Sequence, residues 1–215
     1  MSSRVEHICE GIDRLITLDL GGRGVIYRLY EAARSKTRGP LVLNAAERIL
    51  ENLKERDFVL ITTGFRVLPD KVQETDGPLG AASLLKSLSF SLNTRPIIVT
   101  ERESLGIVES AIISLGFKKV SNLGELIEKG AFMTIDFPYD SSAAEEAAER
   151  LIDEYSPSLL LAVEKAGMGA DGKYHTMRGF DVTELHAKVE PLFERARKAG
   201  ILTVGIGDGG NEVGM

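Results

Sequence analysis

Cysteine occurs once in this 215-residue sequence, as Cys9, and histidine three times, as His7, His175 and His186. A lone cysteine excludes an internal disulfide and fits a reducing compartment. Without a cysteine–histidine cluster there is no zinc site, and without a Gly-x-Ser-x-Gly elbow there is no serine hydrolase of the usual kind. No apolar run is long enough to span a bilayer, and the charged amino terminus is not a signal peptide, so the cytoplasm is the expected location. Charge of one sign is not concentrated either. The 26 Lys and Arg are mixed with 32 Asp and Glu for a formal charge of −6, which suggests neither nucleic acid nor an anionic membrane as partner. Repeats, linkers and low-complexity stretches are missing, and the length suits one large domain with at most a small appendage.

Strand–helix alternation fills most of the chain. Val5, Ile8, Cys9, Ile12, Leu15 and Ile16 recur at helical spacing, so an amphipathic helix opens the sequence and its stripe reads as core. Two further helices fit Val25–Arg34 and Asn44–Arg56. Strands are then expected at Phe58–Thr62, Pro96–Thr100, Phe132–Ile135, Ser158–Val163 and Ile201–Ile206, with a short one after Phe117. Helices are expected between them, including one starting at Pro78 and one capped by Thr183. This predicts a three-layer α/β fold with a largely parallel sheet, helices on both faces and a helical amino-terminal region. Residues 1–56 form that region and residues 57–215 the α/β domain. A strand closing on a glycine loop normally feeds a helix, so the natural chain is expected to continue beyond Met215 with at least one more.

Loops after parallel strands gather at the sheet edge where such folds bind ligands. One carries Glu74, Asp76 and Gly77, a second Glu164, Lys165, Asp171, Lys173, His175 and Arg178, and a third Gly207, Asp208, Gly209, Gly210, Asn211 and Glu212. Asp76 has an equal claim as a helix cap before Pro78, and Lys165, Lys173 and His175 each read more readily as solvated loop residues than as catalysts. Converging Glu74, Asp76, Asp208 and Glu212 would repel unless protonated, paired with a base or bound to a cation. Oxygen donors alone select Mg²⁺, Mn²⁺ or Ca²⁺. Two nucleotide motifs are decoys. Gly205, Gly207 and Gly210 spell a dinucleotide fingerprint, but Asp208 would face the pyrophosphate and no ribose-binding acid follows. Gly167 to Tyr174 spells a phosphate loop with Tyr174 where Ser or Thr is required. No nucleotide cofactor is expected.

At these loops the sequence resembles the D-glutamate cyclase family, whose enzyme members convert D-glutamate to 5-oxo-D-proline and water. The resemblance rests on Asp19 to Gly24, Thr63-Gly64-Phe65, Glu74 to Ala81, Asp171-Gly172 through Met177-Arg178-Gly179, and Gly205 to Met215. Where the family pattern has Arg-Pro-Gly-Arg after the acid matching Glu164, this chain has Lys165-Ala166-Gly167-Met168. The resemblance implies a lyase with Mn²⁺ or Mg²⁺ held by Asp76, Asp208 and Glu212 with help from Glu74. It also implies catalysis by Glu74, Glu164, Asp208 and Lys165, and substrate contacts from Thr63, Gly64, Arg178, Gly207, Gly209, Gly210 and Asn211. Glu74 or Glu164 takes the ammonium proton, and Arg178 grips the α-carboxylate. The partner is then a small molecule, and a homo-oligomer is compatible. Two other readings stand beside it. Gly207 to Glu212 also resembles the magnesium loop of haloacid-dehalogenase-type phosphatases, whose Asp-x-Asp nucleophile motif has no match, so a metal-dependent phosphatase acting on a phosphoester is the alternative. A non-catalytic carboxylate-binding protein is the third.

Overall fold

The computed structural model describes residues 3–214. Helices α1 (Ser3–Ile16), α2 (Ile26–Arg34) and α3 (Leu41–Asn52) precede the first strand. Six strands then build one parallel sheet: β1 (Phe58–Gly64), β4 (Arg95–Thr100), β5 (Lys118–Lys119), β6 (Ala131–Asp136), β7 (Leu159–Lys165) and β8 (Leu202–Ile206). Their spatial order is β5-β6-β4-β1-β7-β8. Helices α4 (Asp76–Leu92), α5 (Arg102–Ser114), α6 (Leu123–Leu126), α7 (Ser141–Tyr155) and α8 (Glu190–Lys198) complete the three layers anticipated from sequence.

The strands alternate between two dry cores, as side chains on a pleated strand must. Val59, Ile61, Ile98, Phe132, Leu159, Leu161 and Val163 face α4 and α5, with Ile49 and Leu53 from the end of α3. Leu60, Ile97, Val99, Met133, Leu160 and Ala162 face α7 and α8, whose alanines let the helices lie close. From β1 the chain moves to the β4 side, and it returns to the other side of β1 only at β7. The order therefore reverses between β1 and β7, and a ligand crevice belongs at their carboxyl ends.

Three local differences from the sequence reading have clear causes. The stretch from Thr63 to Gly77 contains a small hairpin, β2 (Arg66–Val67) with β3 (Val72–Gln73), whose two-residue strands are too short to show a period. Thr183 opens a 3₁₀ turn, Thr183–Leu185, and α8 begins only at Glu190 with Pro191 in its first turn. The apolar stripe of α1 faces outward: Ile8, Leu15 and Ile16 are more than half exposed, and Cys9 and Asp13 are the buried residues of that helix. Asp13 explains the orientation. Its carboxylate accepts from the Leu41 and Val42 amides at 2.7 and 3.0 Å and so caps α3, where Pro40 offers no side-chain cap. None of the described helices is long and apolar enough to cross a membrane.

A third, smaller core of Phe65, Ala166, Tyr174, Val182 and Leu185 lies under the loop that follows β7. His186 is buried there against the Phe65 and Tyr174 rings. Burial, reinforced by the Lys165 charge, pushes its imidazole down to about 3. Between pH 6.5 and 3 the unfolded chain then takes a proton that the native chain refuses, so stability falls as pH falls through that window. His186→Phe, which keeps a ring in place, should flatten the acid slope by up to about 1.4 kcal/mol per pH unit. Urea midpoints at pH 7, 6, 5 and 4 measure this, and parallel slopes for the two proteins would contradict it.

Candidate metal and active site

The amino end of α4 is driven into the β1–β7 reversal. A Cβ on Gly77 would stand 2.7 Å from Thr63 Oγ1 and 2.9 Å from Glu164 Cβ, so only glycine lets the helix start there. Asp76 accepts from its neighbour's amide, Gly77 N, at 2.8 Å, and its side chain helps to begin the helix. Thr63 is buried and its carbonyl accepts from Thr100 Oγ1 at 2.6 Å. Glu164, at the end of β7, has φ of +46°, a left-handed conformation that costs a non-glycine residue about 1–2 kcal/mol.

The segment after β8 turns back on itself. Its carboxylate Glu212 is buried and accepts from Gly209 N at 2.9 Å, Gly210 N at 2.8 Å and Asn211 N at 3.1 Å. Val213 N then donates to Lys165 O at 2.8 Å and Gly167 N to Asn211 O at 2.9 Å, tying the segment antiparallel to the residues that follow β7. The glycines make room for this fold. A Cβ on Gly207 would meet the Glu212 carboxylate carbon at 2.8 Å, and one on Gly209 would meet Met177 Sδ at 2.6 Å. The resemblance implies that Gly207 and Gly209 contact substrate. The structure fills that space from within.

Glu164, Asp208 and Glu212 each bring a carboxylate oxygen into a group whose members all lie within 4.8 Å of one another. Glu74 and Asp76 stand at the rim and are exposed, outside that group but near enough to act on it through space. Burial first, and then the charges of Glu212, Asp208, Asp76 and Glu74, push the Glu164 carboxyl up to about 8. Glu74 is raised as well, by partial burial and by Asp76, against the pull of Arg23. A basic partner is present: Arg23 lies 3.4 Å from Asp208, in a loop that Asp19 shapes by accepting from the Arg23 and Gly24 amides at 3.0 and 2.6 Å. That pair is half exposed and counts for little. Three clustered carboxylates, one of them held near-neutral, are the donor set a hard divalent cation takes.

Residues 12–215 match the family described as D-glutamate cyclase-like, C-terminal. The chain belongs to the D-glutamate cyclase-like family. A relative from Homo sapiens named "D-glutamate cyclase, mitochondrial" is 32% identical over 214 residues, covering 95% of this chain. The chain spans 31% of that relative's length.

Among this family member's expected site residues, Lys165 departs furthest from its sequence reading. It ends β7 instead of opening a loop, has no exposed surface, and is paired with the equally buried Glu101. Its ammonium is thereby withheld from the cleft. Gly64 is buried beside that pair, where a Cβ would stand 2.9 Å from Glu101 Oε1, so the missing side chain leaves room for the Glu101 carboxylate. Asn211 joins the two loops by donating to His175 O at 2.7 Å. His175 is bound to Asp171 at 2.8 Å and Lys173 to Asp181 at 2.8 Å, contacts that stiffen the 171–181 loop. Arg178 is exposed on a turn closed by Gly179 N to Thr176 O, and no carboxylate among the described residues pairs with it. Glu101 and Arg23 are not among the site residues expected from the sequence, although Arg23 lies in the Asp19-to-Gly24 stretch that carries the resemblance. Glu101 follows the apolar run Pro96–Thr100 directly, the same end-of-strand position that drew attention to Asp208.

Proposed function

We propose that this chain carries a lyase site that converts D-glutamate to 5-oxo-D-proline and water with Mn²⁺ or Mg²⁺ bound. The reading is supported chiefly by the convergence of Glu164, Asp208 and Glu212 at the β1–β7 reversal in a member of this family. Those three residues would hold the cation, Glu212 presented by its backbone cage and Glu164 by its left-handed backbone. When bound, the cation supplies Lewis-acid polarisation of the substrate γ-carboxylate.

The remaining work falls to the chain. Ring closure forms a bond from the α-nitrogen to the carbon of the side-chain carboxylate (Cδ) and breaks one of that carbon's bonds to oxygen. The ammonium loses two protons, and both leave with that oxygen as water. A carboxyl group that accepts a proton and returns it near neutral pH serves both transfers. Glu74 is raised in that direction and stands at the rim, outside the cation set. Arg178, exposed and without a carboxylate partner among the described residues, is available for bidentate grip of the α-carboxylate. Thr63 Oγ1 lies beside Gly77 in the first turn of α4, which Asp76 opens two residues after Glu74.

The same oxygen donors would serve a phosphatase, so substrate decides. With Mn²⁺ the protein should release 5-oxoproline from D-glutamate faster than it releases phosphate from an aryl phosphate. Glu74→Gln should lower kcat about 10²–10⁴-fold with Mn²⁺ affinity little changed. Metal-dependent phosphate release with D-glutamate untouched would retire the lyase reading.

A further inference from the structure

The end of β7 carries one residue more than the end of β1. Thr63 faces Val163, Gly64 faces Lys165, and Glu164 is left between them as a bulge. Bulges re-aim side chains, and this one takes a positive φ without the glycine that usually relieves it. Something must fix it on both sides. Before it, Val163 is locked in the core against α4. After it, Lys165 lies buried against Glu101 and donates to Thr100 Oγ1 at 3.3 Å. Glu101 accepts in addition from Ser104 Oγ at 2.7 Å and from Ala187 N at 3.3 Å, so it cannot follow if Lys165 leaves.

We propose that the buried Lys165–Glu101 pair is a positioning device that locks the β7 bulge and so holds Glu164 toward Asp208 and Glu212. The inference rests on the reading of those three carboxylates as the cation site. Its logic is register. If the bulge relaxed by one residue, Gly64 would face Glu164, and Lys165 would turn to the opposite side of the sheet. Glu101 would then be a buried charge with no counter-ion, which is far costlier than removing both charges together. The pair therefore forbids the relaxed register even though that register would relieve the strain at Glu164. The absence of a side chain at Gly64 leaves the room in which the two charges meet.

Lys165→Met with Glu101→Gln removes both charges and keeps the volume and the bond from Ser104. Mn²⁺ titration calorimetry should show about 10–100-fold weaker binding in this pair variant than in the wild type, with a cooperative melt retained. In a Glu164→Gln background the same pair replacement should change Mn²⁺ affinity by less than about twofold, because the effect runs through Glu164. Unchanged affinity in the pair variant, or equal losses in both backgrounds, would overturn the inference. Should the pair variant fail to fold, Glu101→Gln alone carries the same comparison. If the wild type itself bound no Mn²⁺, the cation reading would fall. Register would then decide the positioning role separately: NMR contacts should show Gly64 facing residue 164 in the pair variant, and retained pairing with residue 165 would overturn it.

Discussion

Glu212→Ala should abolish Mn²⁺ binding and at the same time unfold the segment after β8. Both carboxylate oxygens are engaged, Oε1 by Gly209 N and Oε2 by Gly210 N and Asn211 N. Hydrogen bonds to a charged acceptor contribute about 1.5–3 kcal/mol each. Some of the freed amides will find water, so a net loss of about 2–4 kcal/mol is expected. Gly205 and Gly207, which have room only for Val213 and Glu212, would then border a void. Glu212→Gln is the sharper comparison. An amide can accept on one side only, and its NH₂ would face amide donors on the other, so the conservative change should recover at most half of the stability and little of the binding. Asp208→Asn bounds the effect from the other side. Asp208 is half exposed, and its ion pair among the described residues is the weak one with Arg23, so its loss should cost binding with almost no change in melting temperature. Thermal melts and calorimetry on the three variants separate the cases. Equal melting temperatures for Glu212→Ala and Asp208→Asn would show that the cage is not structural.

The contrast between those two acids also marks what could be read without coordinates. Asp208 and Glu212 were both visible as oxygen ligands in a glycine loop after an apolar strand, and the sheet edge that gathers them followed from strand–helix alternation. Their different work was not visible, because it depends on which backbone amides a short loop turns inward. The sequence presents Glu164 as a catalytic candidate and Glu74 and Asp76 as metal ligands, whereas the compact group is Glu164, Asp208 and Glu212. The difference comes from a one-residue bulge, and a bulge leaves no trace in hydropathy when the extra residue is a glutamate in place of a glycine. Lys165 reads as a solvated loop residue because nothing in its local sequence announces Glu101, the distant buried carboxylate that pairs with it. The α1 stripe misled in another way. Periodicity finds a face, and whether that face turns inward is decided by a partner, here Asp13 reaching the α3 amides. The β1–β7 reversal that places the crevice is a property of strand order, which no local pattern encodes.

Glu164 provides the second large effect, a coupling between cation and proton. Its carboxyl is held at about 8, well above the usual carboxylate range, by burial and by the acids around it. Below that value the cation-free native protein keeps a proton that the unfolded chain has lost above about pH 4.5, so ν is larger in the native state. Stability without cation therefore falls as pH rises from about 4.5 to 8 and levels off above. Cation binding needs the ionised form and must expel that proton. Mn²⁺ affinity should accordingly climb up to about tenfold per pH unit between pH 6 and 7 and flatten near 8–9. Titrations in two buffers of different ionisation enthalpy count the released proton directly. Glu164→Gln keeps the length and the strained backbone while removing the charge, so it isolates the electrostatic part. It should match the wild type in cation-free stability at pH 5, exceed it at pH 8.5, and bind Mn²⁺ weakly with a shallower pH dependence. Superimposable pH profiles for wild type and Glu164→Gln, in stability and in Mn²⁺ affinity alike, would mean that Glu164 neither carries the proton nor meets the ion.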